Sequence, residues 1–211
     1  MILILDNIAA FVIGTSIFLV LMAMQLRTTE LSIDQTSTYM MKNQAASMST
    51  WIEEDLLEIG QNIDKNVTVP FENPTTDAYG NTTSFTFYRD TVNTSVIPAD
   101  TVRISTRYTL TDVGYSSNGE DSTKVYRVDR AVRHGFGSWN PDGQSVPLIS
   151  VFQIAMLDQN ANPVVNPATA MAGNPGAVRN TRVRFAMVPP LKTNRATLDQ
   201  IFYGSTLLIP N

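Results

Sequence analysis

Two spacings of apolar residues divide this chain. From Ile8 to Leu26 (IAAFVIGTSIFLVLMAMQL) no residue is charged, and Ile2-Leu3-Ile4-Leu5 precedes the run. At about 1.5 Å per residue such a stretch spans a hydrocarbon core of about 30 Å, so it predicts a transmembrane helix. A cleaved signal peptide would need a basic segment before the run and a small-residue cleavage site after it, and Gln25-Leu26-Arg27 is no such site. Past Arg27 the composition turns polar while a helical period persists. Met41, Ala45, Met48, Ile52, Leu56, Ile59 and Ile63 recur every three or four residues and form one apolar stripe, widened by Trp51 and Leu57. Lys42, Glu53, Glu54, Asp55 and Glu58 fall on other faces, and Gly60 and Asn62 supply a C-terminal stop. An unbroken helix of about 60 residues, on the order of 90 Å long, is the expectation.

Beyond Val67 the period becomes two. Strands are predicted over 83–88, 102–110, 124–130, 149–157 and 181–188, with a last one over 203–209. Ser116-Ser-Asn-Gly119, Asn140-Pro-Asp-Gly143 and Asn174-Pro-Gly176 read as turns between them. Strands joined by turns imply an antiparallel sheet, whose apolar face and the helix stripe most simply cover each other. The expected class is α+β, divided into an assembly helix over 1–27, an amphipathic continuation over 28–63 and a β-rich extracytoplasmic domain over 64–211.

Composition narrows the function. Of 211 residues 43% are hydrophobic, enough for a core, and only 16% are charged. The net charge is −4, which gives no basic footprint for nucleic acid. There is no cysteine, which removes disulfides, thiolate catalysis and iron–sulfur clusters, and His134 is the single histidine. No G-x-S-x-G or S-x-x-K motif accompanies the serines, and Gly135-Phe-Gly137 is not followed by a helix. Glu53 to Glu58 reads as a solvated helix face rather than a metal site. Asp158-Gln-Asn-Ala-Asn162 opens like a calcium loop but has Pro163 and Thr169 where Gly and Glu are needed, so a hairpin turn is expected. His134 reads as a surface loop residue. No catalytic residue, metal, cofactor, small-molecule substrate or nucleic-acid partner is expected. Asn66, Asn81 and Asn93 begin formal glycosylation sequons. Phe136 and Trp139 are either exposed binding anchors or buried lid residues.

Asp6 is the one acid inside the apolar stretch. It either lies at headgroup level or pairs with a cation from a neighbouring chain, the nearest candidate being another subunit's α-amino group. Gly14, Thr15 and Ser16 form a small-residue patch suited to close helix approach.

The order of these motifs resembles type IV pilin-like proteins, in particular minor pseudopilins of type II secretion (J type) and minor type IV pilins (W type). The resemblance rests on Ala45-Ala46 followed by Trp51-Ile-Glu-Glu-Asp-Leu56 and Gly60 at the helix end. It continues through Arg107-Tyr-Thr-Leu110, Tyr126-Arg-Val-Asp-Arg130, Val151-Phe152 leading to Asp158, Arg182-Val-Arg-Phe185 and the terminal Thr206-Leu-Leu-Ile-Pro-Asn211. Processed pilins carry Glu at mature position five; here Asp6 falls fifth counting from Ile2, and no basic leader ending in Gly is visible. The resemblance implies a structural, non-enzymatic role, namely a minor subunit of a pilus-like filament or pseudopilus. Such a subunit starts in the bacterial inner membrane and then enters an extracytoplasmic filament, with other pilin-like subunits as partners. Met1, Ile2, Asp6, Gly14 and Thr15 would make the subunit contacts, and Met41, Ala45, Met48, Ile52, Leu56 and Ile59 would pack the helix on the sheet. The alternative is a single-pass accessory subunit of a membrane complex that binds a partner through its β-domain.

Overall fold

The structure is a computed structural model that describes residues 2–93, 100–117, 122–189 and 200–209. Helix α1 runs unbroken over Ile2–Leu57, 56 residues. Its end is fixed by the residues read as a stop. Gly60 (φ 75°) and Asn62 (φ 59°) both take left-handed backbone. A Cβ on Gly60 would meet Lys65 Cε at 3.0 Å and Pro70 Cβ at 3.2 Å. The freed backbone then docks on a strand: the Gly60 N–H donates to the Tyr88 carbonyl (2.9 Å), and the Asp90 N–H donates to the Gln61 carbonyl (2.9 Å).

The remaining elements are β1 (Thr75–Thr76), β2 (Thr82–Asn93), β3 (Asp100–Ser117), β4 (Ser122–His134), β5 (Asn140–Gln144), β6 (Ile149–Leu157), α2 (Pro167–Gly173), β7 (Asn180–Met187) and β8 (Ile201–Leu208). The sheet is antiparallel in the order β1-β2-β3-β4-β6-β7-β8, with β5 paired to β4. The chain is thus α+β, a long helix laid on an antiparallel sheet. The predicted strands all occur, several of them longer than the alternation suggested. The Asn140–Gly143 stretch is a correction: it is strand, its residues exposed, paired along β4. Helix α2 (PATAMAG) has too short an apolar pattern to announce itself, although Pro167 and Met171 bury one face. Of the Ser116–Gly119 turn, residues 118 and 119 lie outside the described residues; Asn174 caps its turn by accepting the Gly176 N–H on Oδ1 (3.0 Å).

The sheet has a seam. β4 and β6 share a single backbone pair, Tyr126 with Ile149. Unpaired N–H groups at such a seam would be costly, and the first residue of β2 and the one before it answer them with side chains. Asn81 Oδ1 accepts the Phe152 N–H (3.2 Å) and Thr82 Oγ1 accepts the Ile154 N–H (2.9 Å). Asn81 is therefore 4% exposed, and its sequon is closed in the folded chain. The Asn66 side chain is exposed, and the Asn93 side chain lies outside the described residues.

The core lies between the second half of α1 and one sheet face. Met41, Ala45, Met48, Ile52, Leu56 and Ile59 all belong to it, with Phe71, Phe85, Phe87, Val128, Phe152 and Phe185 among their sheet partners. Tyr108 is the hub: its ring meets Trp51, Phe87 and Phe152 edge-on at centroid distances of 5.5, 5.6 and 6.5 Å.

Candidate functional site

Two regions of α1 stand out. The first is its N-terminal half. From Asp6 to Ile33 every residue is exposed, and the first buried residue of the helix is Ser37. Phe11 is 73% exposed, Phe18 65% and Leu19 63%, so nothing among the described residues covers this apolar surface. The helix is long and apolar enough to cross a membrane. Its hydroxyls are satisfied internally, as a non-aqueous setting demands. Thr15 Oγ1 donates to the Phe11 carbonyl (2.9 Å) and Ser16 Oγ to the Val12 carbonyl (2.7 Å). A Cβ on Gly14 would meet nothing within 4 Å. Asp6 is exposed on the same helix. The structure therefore places Asp6, Gly14 and Thr15 on one exposed stretch of helix and, among the described residues, brings no other part of the chain to them. Met1 and the Ile2 side chain lie outside the described residues.

The second region is the seam between helix and sheet, which corrects the reading of Glu53 to Glu58 as a solvated face. Asp55 is 7% exposed. Its carboxylate takes a two-pronged contact from Arg130 of β4, Nε to Oδ2 at 2.6 Å and Nη2 to Oδ1 at 2.8 Å. The Tyr108 hydroxyl donates to Oδ2 at 2.6 Å, and Arg130 Nη1 reaches Asp142 on β5. Two neighbours on the helix are also engaged, Glu53 by the Tyr203 hydroxyl and Glu58 by Arg89; only Glu54 is simply exposed. A hint lay in the sequence: position 55 is three after Ile52 and four before Ile59, hence on the stripe's own flank. A carboxylate there must either be solvated or find a buried cation.

Burial, reinforced by the Asp55 charge, raises the Tyr108 hydroxyl well above its usual pKa near 10. The Asp55 hydrogen bond likewise raises Arg130, against the opposing effect of burial. A tyrosine whose folded pKa is raised adds stability that is complete below its unfolded pKa and is lost as pH climbs through the folded value. The melting temperature is therefore expected to be flat from neutral pH to about pH 10 and to fall above it. The fall should be shallower in Tyr108→Phe. A scan of thermal unfolding against pH checks this, and an equally steep fall in Tyr108→Phe would sink it.

Elsewhere, His134 is exposed at the end of β4. Asp158 spends its carboxylate on a turn: Oδ1 accepts the N–H groups of Asn160 (2.8 Å) and Asn162 (2.9 Å). The same Asp-x-x-x-Asn bonding recurs at Asp77, which accepts the N–H groups of Tyr79 and Asn81 (2.9 and 2.8 Å). Both loops are Asx-type turns. Among the described residues no three His, Cys, Asp or Glu side chains converge as metal ligands. Phe136 projects fully into solvent, whereas Trp139 is half-buried between both readings made for it. No family model matches the chain, and no curated protein or solved structure matches it at a significant level.

Proposed function

We propose that this chain is a structural subunit of a type IV pilus-like filament or pseudopilus, a minor one, which assembles through its N-terminal helix. The observation that carries this reading is the division of one continuous helix. Residues 6–33 are exposed and largely apolar, while residues 41–56 are seated on an antiparallel sheet and pinned by Asp55 and Arg130. An uncovered apolar helix needs lipid or other apolar helices around it. A rigid continuation into the β-domain fixes how that domain is presented when helices bundle. Before assembly the helix sits in a bacterial inner membrane; afterwards it lies in a filament core with the β-domain outward. Asp6, paired with a neighbour's α-amino group, sets the register of the bundle, because an ion pair among apolar helices is far more useful for register than for stability.

The test is intact-mass spectrometry on material sheared from cells, with the membrane fraction in parallel. Wild-type chain is expected in the sheared assemblies, and its mass reports whether Met1 is kept and whether the amine is methylated. Asp6→Ala is expected to stay in the membrane, and a chain lacking residues 1–27 should be folded, soluble and absent from assemblies. Recovery of the wild type only in membranes, in a fixed complex with an unrelated subunit, would overturn the proposal in favour of an accessory subunit.

A further inference from the structure

One edge of the sheet is closed by the chain itself, and the other is open. Along β2 the Tyr88 N–H donates to the Pro70 carbonyl (2.7 Å), the Glu72 N–H donates to the Thr86 carbonyl (2.9 Å), and β1 pairs with Thr82 and Ser84. At the far side β8 pairs with β7 over its whole length and ends the strand order. Among the described residues no backbone bond reaches the outer edge of β8. In an antiparallel pair every second residue turns its N–H and C=O away from the partner strand, so β8 presents a row of unanswered donors and acceptors. Natural edge strands are commonly blunted by charge, proline or a bulge. Ile201-Phe-Tyr-Gly-Ser-Thr-Leu-Leu208 has no charged residue and no proline, and its register to β7 runs without a bulge.

The outer face beside this edge is basic and unmatched. Val183, Phe185 and Met187 lie in the core, and Ile201, Tyr203 and Leu207 pack against it. By alternation Arg182, Arg184, Phe202, Gly204, Thr206 and Leu208 face away from α1. In the strand register Gln153 and Gly204 flank Arg184, while Ala155 and Thr206 flank Arg182. All four neighbours are neutral. Arg89, Arg103, Arg127 and Arg130 are each held by a carboxylate, whereas neither Arg182 nor Arg184 has an ion pair among the described residues. Phe202 and Leu208 are largely exposed at the two ends of β8. A groove of about 420 Å³ opens here, lined by Val151, Gln153, Arg184, Phe202 and Gly204 among others.

We propose that β8 takes an extended acidic segment of another protein as the next strand of the sheet. Main-chain bonds along the open edge supply affinity, and side chains at alternate positions supply the choice of partner. The added strand lies about 10 Å from β7, two strand spacings away. Arg184 crosses that gap over Gly204, which has no side chain in the way, and Arg182 crosses it over the small Thr206. The partner positions facing Gly204 and Thr206 are therefore Asp or Glu, whose carboxylates match a guanidinium fork. The positions facing Phe202 and Leu208 are apolar. A second copy of this chain fits poorly: its β1–β2 edge is covered, and its β8 brings two more arginines to the same junction. This junction lies on the β-domain, apart from the helix that carries assembly.

The experiment uses the full chain in a mild non-ionic detergent and a fluorescein-labelled peptide, Thr-Val-Thr-Glu-Thr-Glu-Thr-Val-Thr. Anisotropy reads affinity, and amide hydrogen exchange locates the contact. Saturable binding below about 1 mM is expected, with new protection confined to Ile201–Leu208 and its flanks. The same peptide with Lys in place of Glu should bind at least about tenfold more weakly. A Glu peptide N-methylated on alternate amides should not bind, because it offers the edge no donors. The double variant Arg182→Gln/Arg184→Gln should weaken the Glu peptide by about tenfold, as two surface ion pairs together supply. Arg127→Gln, far from β8 in the strand order, should leave it unchanged. Thermal melts verify that the variants fold, and the Lys and N-methyl peptides on the wild type decide the matter if one does not. The proposal is overturned by absence of saturable binding, by equal binding of the Lys or the N-methylated peptide, or by protection elsewhere on the chain. Protection of β8 that rises with protein concentration in the absence of peptide would also overturn it, in favour of a second copy.

Discussion

Asp55→Ala is expected to destabilise the folded chain by about 3–5 kcal/mol, the usual loss when one member of a buried ion pair is removed. The side chain of Asp55 is 10% exposed and that of Arg130 20%. Without the carboxylate, Arg130 keeps only the more exposed Asp142 on the β5 edge, and the hydroxyl of Tyr108 loses its acceptor in the middle of the core. The cost therefore comes from what is left behind rather than from the attraction lost. Two further variants separate these terms. Tyr108→Phe on the wild-type background removes a single hydrogen bond to a charged acceptor and should cost about 1.5–3 kcal/mol. Arg130→Met added to Asp55→Ala should restore a large part of the loss, because the stranded charge is gone. Guanidinium unfolding in mild detergent, followed by near-ultraviolet circular dichroism, measures all four proteins. Equal stability of wild type and Asp55→Ala would show that the pair contributes nothing to holding helix on sheet.

Leu56→Ala is the second large effect, expected at about 2–5 kcal/mol, whereas Leu57→Ala should stay within about 0.5 kcal/mol. The two leucines are adjacent and chemically identical. Leu56 is fully buried in the core between helix and sheet, and Leu57 is 48% exposed. Removing Leu56 leaves a cavity next to close-packed aromatic rings that cannot easily collapse; removing Leu57 only uncovers helix to its surroundings. The same denaturation experiment reads both. Comparable losses would mean that the helix is rotated about its axis from the orientation described here.

The stripe from Met41 to Leu56 was legible in the sequence, but Leu57, read there as widening it, is corrected by the structure: it faces away from the sheet and is 48% exposed. Local chemistry also announced the helix stop at Gly60 and Asn62, where only particular residues take left-handed backbone readily. The turn at Asp158 is local too, and its twin at Asp77 follows the same residue pattern. Other features carried no local signal. Asn140–Gln144 has turn composition and becomes strand because β4 offers it a free edge where β4 diverges from β6. The sequon at Asn81 looks like any other until the seam between β4 and β6 claims its side chain.

Asp55 shows the division most clearly. A helical acid beside an apolar stripe has two outcomes, and the helix itself does not choose between them. Arg130 lies 75 residues away, and Asp142 lies on a strand with no hydrophobic pattern. The stacking of Arg107 and Arg133 on the one Trp139 ring, 4.3 and 4.6 Å from its centroid, likewise depends on strand register and on the segment returning beside β4. By itself the sequence determined the long helix, its two environments, the sheet and the stripe that joins them. These follow from apolar period and backbone preference, which act over a few residues. Which charges are buried, matched or left over was decided only in three dimensions, because the energy of a charge depends on its partners and its solvent, and distant segments supply both.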